Sequence, residues 1–418
     1  MTRHIDLLIH NIGQLCTLRG GPQRGDQLGA LGIIEHGAVA IDDGKIFDVG
    51  TSEQLHLRYD AARLIDAQGC AVVPGLVDPH THLVWAGDRA AEFEMRLAGA
   101  TYMEIMNAGG GINNTVQQVR AASLEQLIAE TRPRLDRMLR LGTTTVEIKT
   151  GYGLDTPTEL KQLEAIYRLA QSHPMTIVAT FMGAHAIPPE FAGRTEAYVD
   201  YVVSEMIPAV AAFATQRGMP LPFIDVFCEQ GVFDVPQTER ILRAGIAHGM
   251  RAKLHADEFA ALGGTRLAVE LGAVSVDHLV ESTSEDITAL GKGDTVAVAL
   301  PGTPFGLAHS KYTPARAIIA AGGILAIATD CNPGTAWCES IPFIMALSCR
   351  MMGLTPAQAL AAATINAACA LGLADTHGSI EVGKQADLLI LDAQDYRHLA
   401  YRFGGSSVKS VIKSGVVI

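Results

Sequence analysis

Apolar and polar positions change rhythm twice along the 418 residues. The first 70 residues carry short alternating runs: Ile5-Asp-Leu-Leu-Ile9, Ala38-Val-Ala-Ile41, Lys45-Ile-Phe-Asp-Val49 and Arg63-Leu-Ile-Asp66. Alternation of period two puts successive side chains on opposite faces, as in half-buried strands. Asp42-Asp43-Gly44, between two of these runs, is a hairpin signal. The end of the chain looks alike, with Gly383-Lys-Gln-Ala-Asp-Leu-Leu-Ile-Leu391, Val408-Lys-Ser-Val-Ile412 and Gly415-Val-Val-Ile418. Strand-rich ends around a different middle predict that residues 1–70 and 375–418 meet in one small β domain. Two independent β caps are the alternative.

Residues 71–374 follow another rhythm, in which β-branched apolar runs alternate with helical patterns of a dozen or more residues. That pattern predicts βα units on a parallel sheet. The candidate strands are 72–82, Gly142–Ile148, Thr176–Phe181, Phe223–Phe227, Arg251–His255, Ala273–His278, Val296–Leu300 and Gly323–Asp330. Eight is the number that closes a (β/α)8 barrel, whose active site lies at the C-terminal ends of its strands. The run Gly109-Gly-Gly111 falls in the first βα loop and reads as a lid or tight turn rather than a phosphate cradle.

Polar residues gather at those strand ends. The first candidate strand, from Ala71-Val-Val-Pro-Gly-Leu-Val-Asp78, runs through Pro79 into His80-Thr-His82. The two imidazoles share a face and are good ligands for zinc or iron. The third strand runs into His185, the fourth into Glu229, the fifth into His255, the sixth into His278 and the eighth into Asp330. One histidine in such a place is commonly structural; four strands ending in histidine with an aspartate closing the eighth are not explained that way. His80, His82, His255 and Asp330 make a mononuclear site with room for water, whose pKa a cation lowers from about 15.7 to about 7. Asp330 would then accept the water proton. His278 either polarises the bond under attack or orients a neighbouring group. Glu229 either bridges a second metal or is structural, and Lys149 reads as a structural or loop cation.

Composition narrows the partners. A net charge of −12 argues against nucleic acid or an anionic membrane surface, so an anionic substrate needs a local cation. No run of about 18 apolar residues stands out, so no membrane span is expected. Seven cysteines form no CxxC pair, and the N-terminus lacks a signal-peptide pattern, which together predict a reduced, cytoplasmic protein.

The stretch from Pro74-Gly-Leu-Val-Asp-Pro-His-Thr-His82 through Ala328-Thr-Asp330 resembles the amidohydrolase superfamily over essentially the whole chain. The resemblance implies a metal-dependent hydrolase with a (β/α)8 barrel and a small β-sandwich made from both termini. Within it, the segments His80–Arg89, Glu147-Ile-Lys-Thr-Gly-Tyr-Gly153, Phe181-Met-Gly-Ala-His185, Lys253–Glu258 and Thr329-Asp-Cys-Asn-Pro-Gly-Thr335 are most similar to the imidazolonepropionase family of histidine degradation. That likeness implies opening of 4-imidazolone-5-propanoate to N-formimidoyl-L-glutamate, with one zinc or iron ion per chain. It implies Arg89 as the carboxylate partner; Tyr152, between two glycines, reads as a mobile, exposed donor suited to a ligand, with a loop-packing ring as the alternative. It further implies substrate contacts from His185, Glu258, Asn332, Gly334 and Thr335, and a proton shuttle among Glu258, His278 and Asp330. A homodimer is the expectation for an enzyme of this size. Two other readings stand beside it: a heterocycle deaminase using the same four ligands, and a non-catalytic scaffold on the same barrel.

Overall fold

The computed structural model describes residues 2–100, 104 and 110–418. Two eight-stranded sheets organise them. The first joins both ends of the chain: β1 (Arg3–Leu15), β2 (Ile34–Asp42), β3 (Lys45–Thr51), β4 (Tyr59–Asp66) and β5 (Val72–Pro74) meet β14 (Leu388–Leu391), β15 (Val408–Lys413) and β16 (Val416–Val417). β5 is the link, pairing parallel with β1 and antiparallel with β14. Leu7, Ile9, Val39, Ile46, Leu388 and Ile412 share one apolar core, so the terminal strands fold as one unit rather than as separate caps. The hairpin forms where expected: Asp42 pairs with Lys45, and Asp43 and Gly44 both take positive φ.

The second sheet is all parallel: β6 (Leu76–Asp78), β7 (Thr143–Lys149), β8 (Thr176–Ala184), β9 (Phe223–Cys228), β10 (Lys253–Ala256), β11 (Ser275–His278), β12 (Val296–Ala299) and β13 (Ile324–Ile327). Helices between successive strands cover its outer face, as βα repetition requires. The last seam closes just beyond the strand ends. Asp330 N donates to His80 O at 3.1 Å, His82 N donates to Cys331 O at 2.9 Å, and Thr81 bridges Cys331. Buried Asp78 reinforces the seam by accepting from Thr329 N and Oγ1, and burial pushes its carboxyl up to about 7. The barrel therefore closes through the His-X-His turn itself.

The expected single strand over 72–82 is split, because Gly75 is where the chain changes sheets. A Cβ there would lie 2.2 Å from Thr144 Oγ1, so only glycine permits the crossing. Helix Ile112–Ala121 starts beyond Gly111, whose φ of 80° suits glycine; Gly109 lies outside the described residues. The helical segment Thr195–Gln216 has the length and hydropathy of a membrane span, although polar residues interrupt it. Tyr198, Val199, Val202, Met206, Val210 and Ala214 are buried along one stripe of it, the spacing of a helix packed on a core.

Candidate functional site

Five histidines and one aspartate converge at the closed rim. His82 and His255 bring their Nε2 atoms to 3.5 Å. Asp330 Oδ1 lies 3.5 Å from His80 Nε2 and 3.5 Å from His82 Nε2. Four ligands arranged tetrahedrally around an ion at about 2.1 Å stand about 3.4 Å apart, so these separations fit a cation. His80 and His255 also share a 4.8 Å cluster with His278. His80, His82, His255, His278 and Asp330 are buried, and His80 Nε2 has no hydrogen-bond partner. Burial holds the His80, His82 and His278 imidazoles well below their ordinary range, which favours the neutral form that the ligands among them, His80 and His82, need.

Carboxylates aim the rings. Asp277 Oδ2 accepts from His80 Nδ1 at 2.6 Å, and Asp225 Oδ1 accepts from His255 Nδ1 at 3.0 Å. With the protons drawn to Nδ1, both Nε2 lone pairs face the cluster. Burial alone would raise Asp225, but His255 and Lys149 outweigh it and hold this carboxyl well below the usual range. Beneath the rings, Lys149 and Lys253 lie fully buried among Glu147, Asp225 and Asp277. Lys149 is thus an interior barrel residue and no loop cation. Backbone strain appears at the rim too: His278, Leu279 and Asp330 have φ of 82°, 62° and 52°, a cost of about 1–3 kcal/mol each that cores rarely keep without use.

A cavity of about 410 Å³ opens on this cluster and is lined by Arg89, Tyr152, His185, Glu258, His278, Asn332 and Thr335 as well as three of the four candidate ligands. His185 stacks on His82 at 4.9 Å and donates from Nδ1 to Gly151 O, so its Nε2 is an acceptor. Burial takes its pKa down to about 3. Tyr152 is not the exposed, mobile residue expected from its glycine neighbours: it is 3 % exposed. Buried Glu159 pins its loop, accepting from Gly151, Gly153 and Leu154 amides. Glu258 Oε2 lies 3.6 Å from His278 Nε2, and burial, then Asp330 and Glu229, raise its carboxyl well above normal. Burial lifts Asp330 to about 6 even though Thr303 donates to it at 2.5 Å.

Arg89 pairs with Glu92 through Nε at 2.9 Å. Gly334 makes room for the guanidinium, since a Cβ there would sit 2.2 Å from Arg89 Nη1. The glycine serves clearance, not a positive-φ turn. Asn332 builds that turn: its Oδ1 accepts from Gly334 N and Thr335 N, and its Nδ2 donates to Asp330 O. Glu229 is spent on the amides of Gln230, Phe259 and Ala260, holding the loop that carries Glu258. The sequence reading passed over Asp225, Asp277 and Glu159. The available signal was a lone acid inside an apolar strand, as in Phe223-Ile-Asp-Val-Phe227, and an acid in the first turn of a helix that follows a glycine-rich loop.

Residues 234–418 match the Amidohydrolase family. The imidazolonepropionase of Herpetosiphon aurantiacus is 56% identical over 99% of this chain and 97% of its own length. That of Symbiobacterium thermophilum is 49% identical over 100% and 98%. Among solved structures, a zinc-bound adenosine deaminase from Xanthomonas campestris superposes with a TM-score of 0.70 at 22% identity, covering 100% of this chain and 93% of its own. Guanine deaminase from E. coli gives 0.73 at 15% identity, covering 98% of each. At these identities the two deaminases speak for the barrel fold alone.

Proposed function

The chain belongs to the imidazolonepropionase family of amidohydrolases, and from that premise we propose that its rim cavity hydrolyses 4-imidazolone-5-propanoate to N-formimidoyl-L-glutamate in histidine degradation. The observation that carries this reading is one cavity holding both a hydrolytic cluster and a cation for the propanoate. His80, His82, His255 and Asp330 would hold zinc or iron, both of which accept such a nitrogen and oxygen set. Bound there, the ion supplies Lewis-acid polarisation and activates water near neutral pH.

The chain's own groups do the rest. Arg89 meets the propanoate with a charged fork, and the Glu92 contact at Nε keeps that fork turned to the cavity. His185 Nε2 accepts a ring N–H, while Tyr152 packs beside it as a hydroxyl donor. His278 sits against the carbonyl under attack. Water adds to that ring carbonyl carbon, and the adjacent ring C–N bond breaks. Asp330 takes the proton that the water loses. Glu258, whose carboxyl burial raises well above its ordinary range, delivers a proton to the departing nitrogen. Atoms balance with one water consumed and no ammonia formed.

The test follows loss of imidazolone-propanoate absorbance by metal-analysed protein, with product mass and ammonia measured together. Formimidoylglutamate without ammonia is the expected result. Ammonia release would convert the reading to a deaminase, and no turnover at full metal occupancy would remove this substrate.

A further inference from the structure

Among the described residues, the most unusual group outside the cavity is the buried ion cluster beneath the rings. Lys149 Nζ donates to Glu147 Oε1 at 2.7 Å and to Asp225 Oδ2 at 2.8 Å, and lies 3.9 Å from Asp277 Oδ2. All four groups are fully buried. Lysine has three N–H donors and here faces three carboxylates. Asp225 is consequently fixed at both oxygens: Oδ2 by the ammonium, Oδ1 by the ring and backbone N–H of His255. Asp277 is likewise held between Lys149 and His80 Nδ1, with Ser275 Oγ on its other oxygen. The backbone of the same lysine donates to Thr81 O, between His80 and His82. Glu147 closes the arrangement through Thr81: its Oε2 accepts from Thr81 N and its backbone carbonyl from Thr81 Oγ1.

Three charges of one sign and two of the other are costly in a dry barrel and contribute little net stability. Apolar residues would fill the same volume at least as stably. What the ions add is orientation, because each aspartate that aims an imidazole is itself aimed by one ammonium. We propose that Lys149 is a positioning residue for the metal centre: it sets the Asp225 and Asp277 carboxylates, and through them directs the Nε2 atoms of His255 and His80 onto one point. This rests on the metal-site reading above.

Zinc affinity measured by competition with a chromogenic chelator tests it. The variant of choice is Lys149→Met/Glu147→Gln, which removes one charge of each sign and leaves the cluster's net charge unchanged. Its zinc Kd should rise about tenfold or more, in the range for losing outer support of a ligand. KM should stay put, since neither residue reaches the cavity. Asp225→Asn should weaken zinc similarly, and adding Lys149→Met to it should raise Kd by clearly less than Lys149→Met does alone, because the Asp225 route is already lost and only the Asp277 route to His80 remains. An unchanged Kd in the folded pair, fully additive effects in the Asp225→Asn background, or failure of the charge-conserving pair to fold would each overturn the proposal in favour of a purely structural lysine. Wild-type protein that binds no zinc in the same assay would instead sink the metal-site reading, so the two failures are distinguishable.

Discussion

The interior and the rim of the barrel both bury charge, yet they treat it in opposite ways. In the interior, Glu147, Lys149, Asp225, Lys253 and Asp277 each face an opposite charge within 4.0 Å. At the rim, His80 Nε2, His82 Nδ1 and His278 Nδ1 are buried without a hydrogen-bond partner. Asp330 and His278 adopt left-handed backbone there as well. An unsatisfied buried polar group costs about 1–3 kcal/mol; the charged groups of the interior strands are paired, although two hydroxyls there, Thr143 and Thr145 Oγ1, are not. What sets the rim apart is that several unpartnered imidazole nitrogens converge on one point, whereas elsewhere such atoms stand singly, as at His398 Nδ1.

Breaking the rim should give the largest effect. His255→Ala should remove bound metal and turnover together, read by metal analysis alongside the absorbance assay; full metal occupancy in that variant would reassign the ligand. Arg89→Ala should raise KM about 10- to 100-fold, the equivalent of a charged hydrogen bond worth about 1.5–3 kcal/mol, with metal content intact. Unchanged KM would take Arg89 out of substrate contact. Gly334→Ala is a finer probe: its methyl collides with Arg89 Nη1 and should raise KM by about tenfold while kcat holds. Equal kinetics would mean that the guanidinium can shift without loss.

Much of this was legible in the chain itself, for physical reasons that differ from residue to residue. The barrel strands are β-branched runs at regular spacing, and the rim residues stand one step past them, so strand ends and candidate ligands are read together. Arg89 and His185 follow from family motifs and do line the cavity. The supports are harder to see. Asp225, Asp277, Lys149 and Lys253 lie on strands, where an isolated charge looks the same whether it faces water or the barrel axis. Tyr152 is the packed ring rather than the mobile, exposed one: Gly151 and Gly153 look like flexibility, whereas three amides of that loop are fixed by a glutamate on the next helix. The split at Gly75 depends on how close Thr144 comes, and no local pattern encodes a distance across sheets.

His377 sharpens the contrast most gently, because it is a buried histidine whose two nitrogens both have partners. Nδ1 meets Thr376 Oγ1 at 2.8 Å and Nε2 meets Thr176 Oγ1 at 3.2 Å, beside Lys413, which pairs with Asp387 and ties the terminal sheet to the barrel by donating to Thr176 Oγ1. Burial takes its pKa from 6.5 down to about 4, against the pull of Asp387. The unfolded chain therefore binds the proton more readily, and folding stability should fall as pH drops from about 6.5 towards 4. Most of that loss, about 2 kcal/mol, should vanish in His377→Gln, measured by urea unfolding at pH 7 and pH 4.5. Metal affinity at pH 7 should be the same in both proteins. If His377→Gln instead weakened metal binding, a fully partnered histidine far from the rim would be supporting the site, and convergence of unpaired nitrogens would no longer suffice to tell chemistry from scaffold.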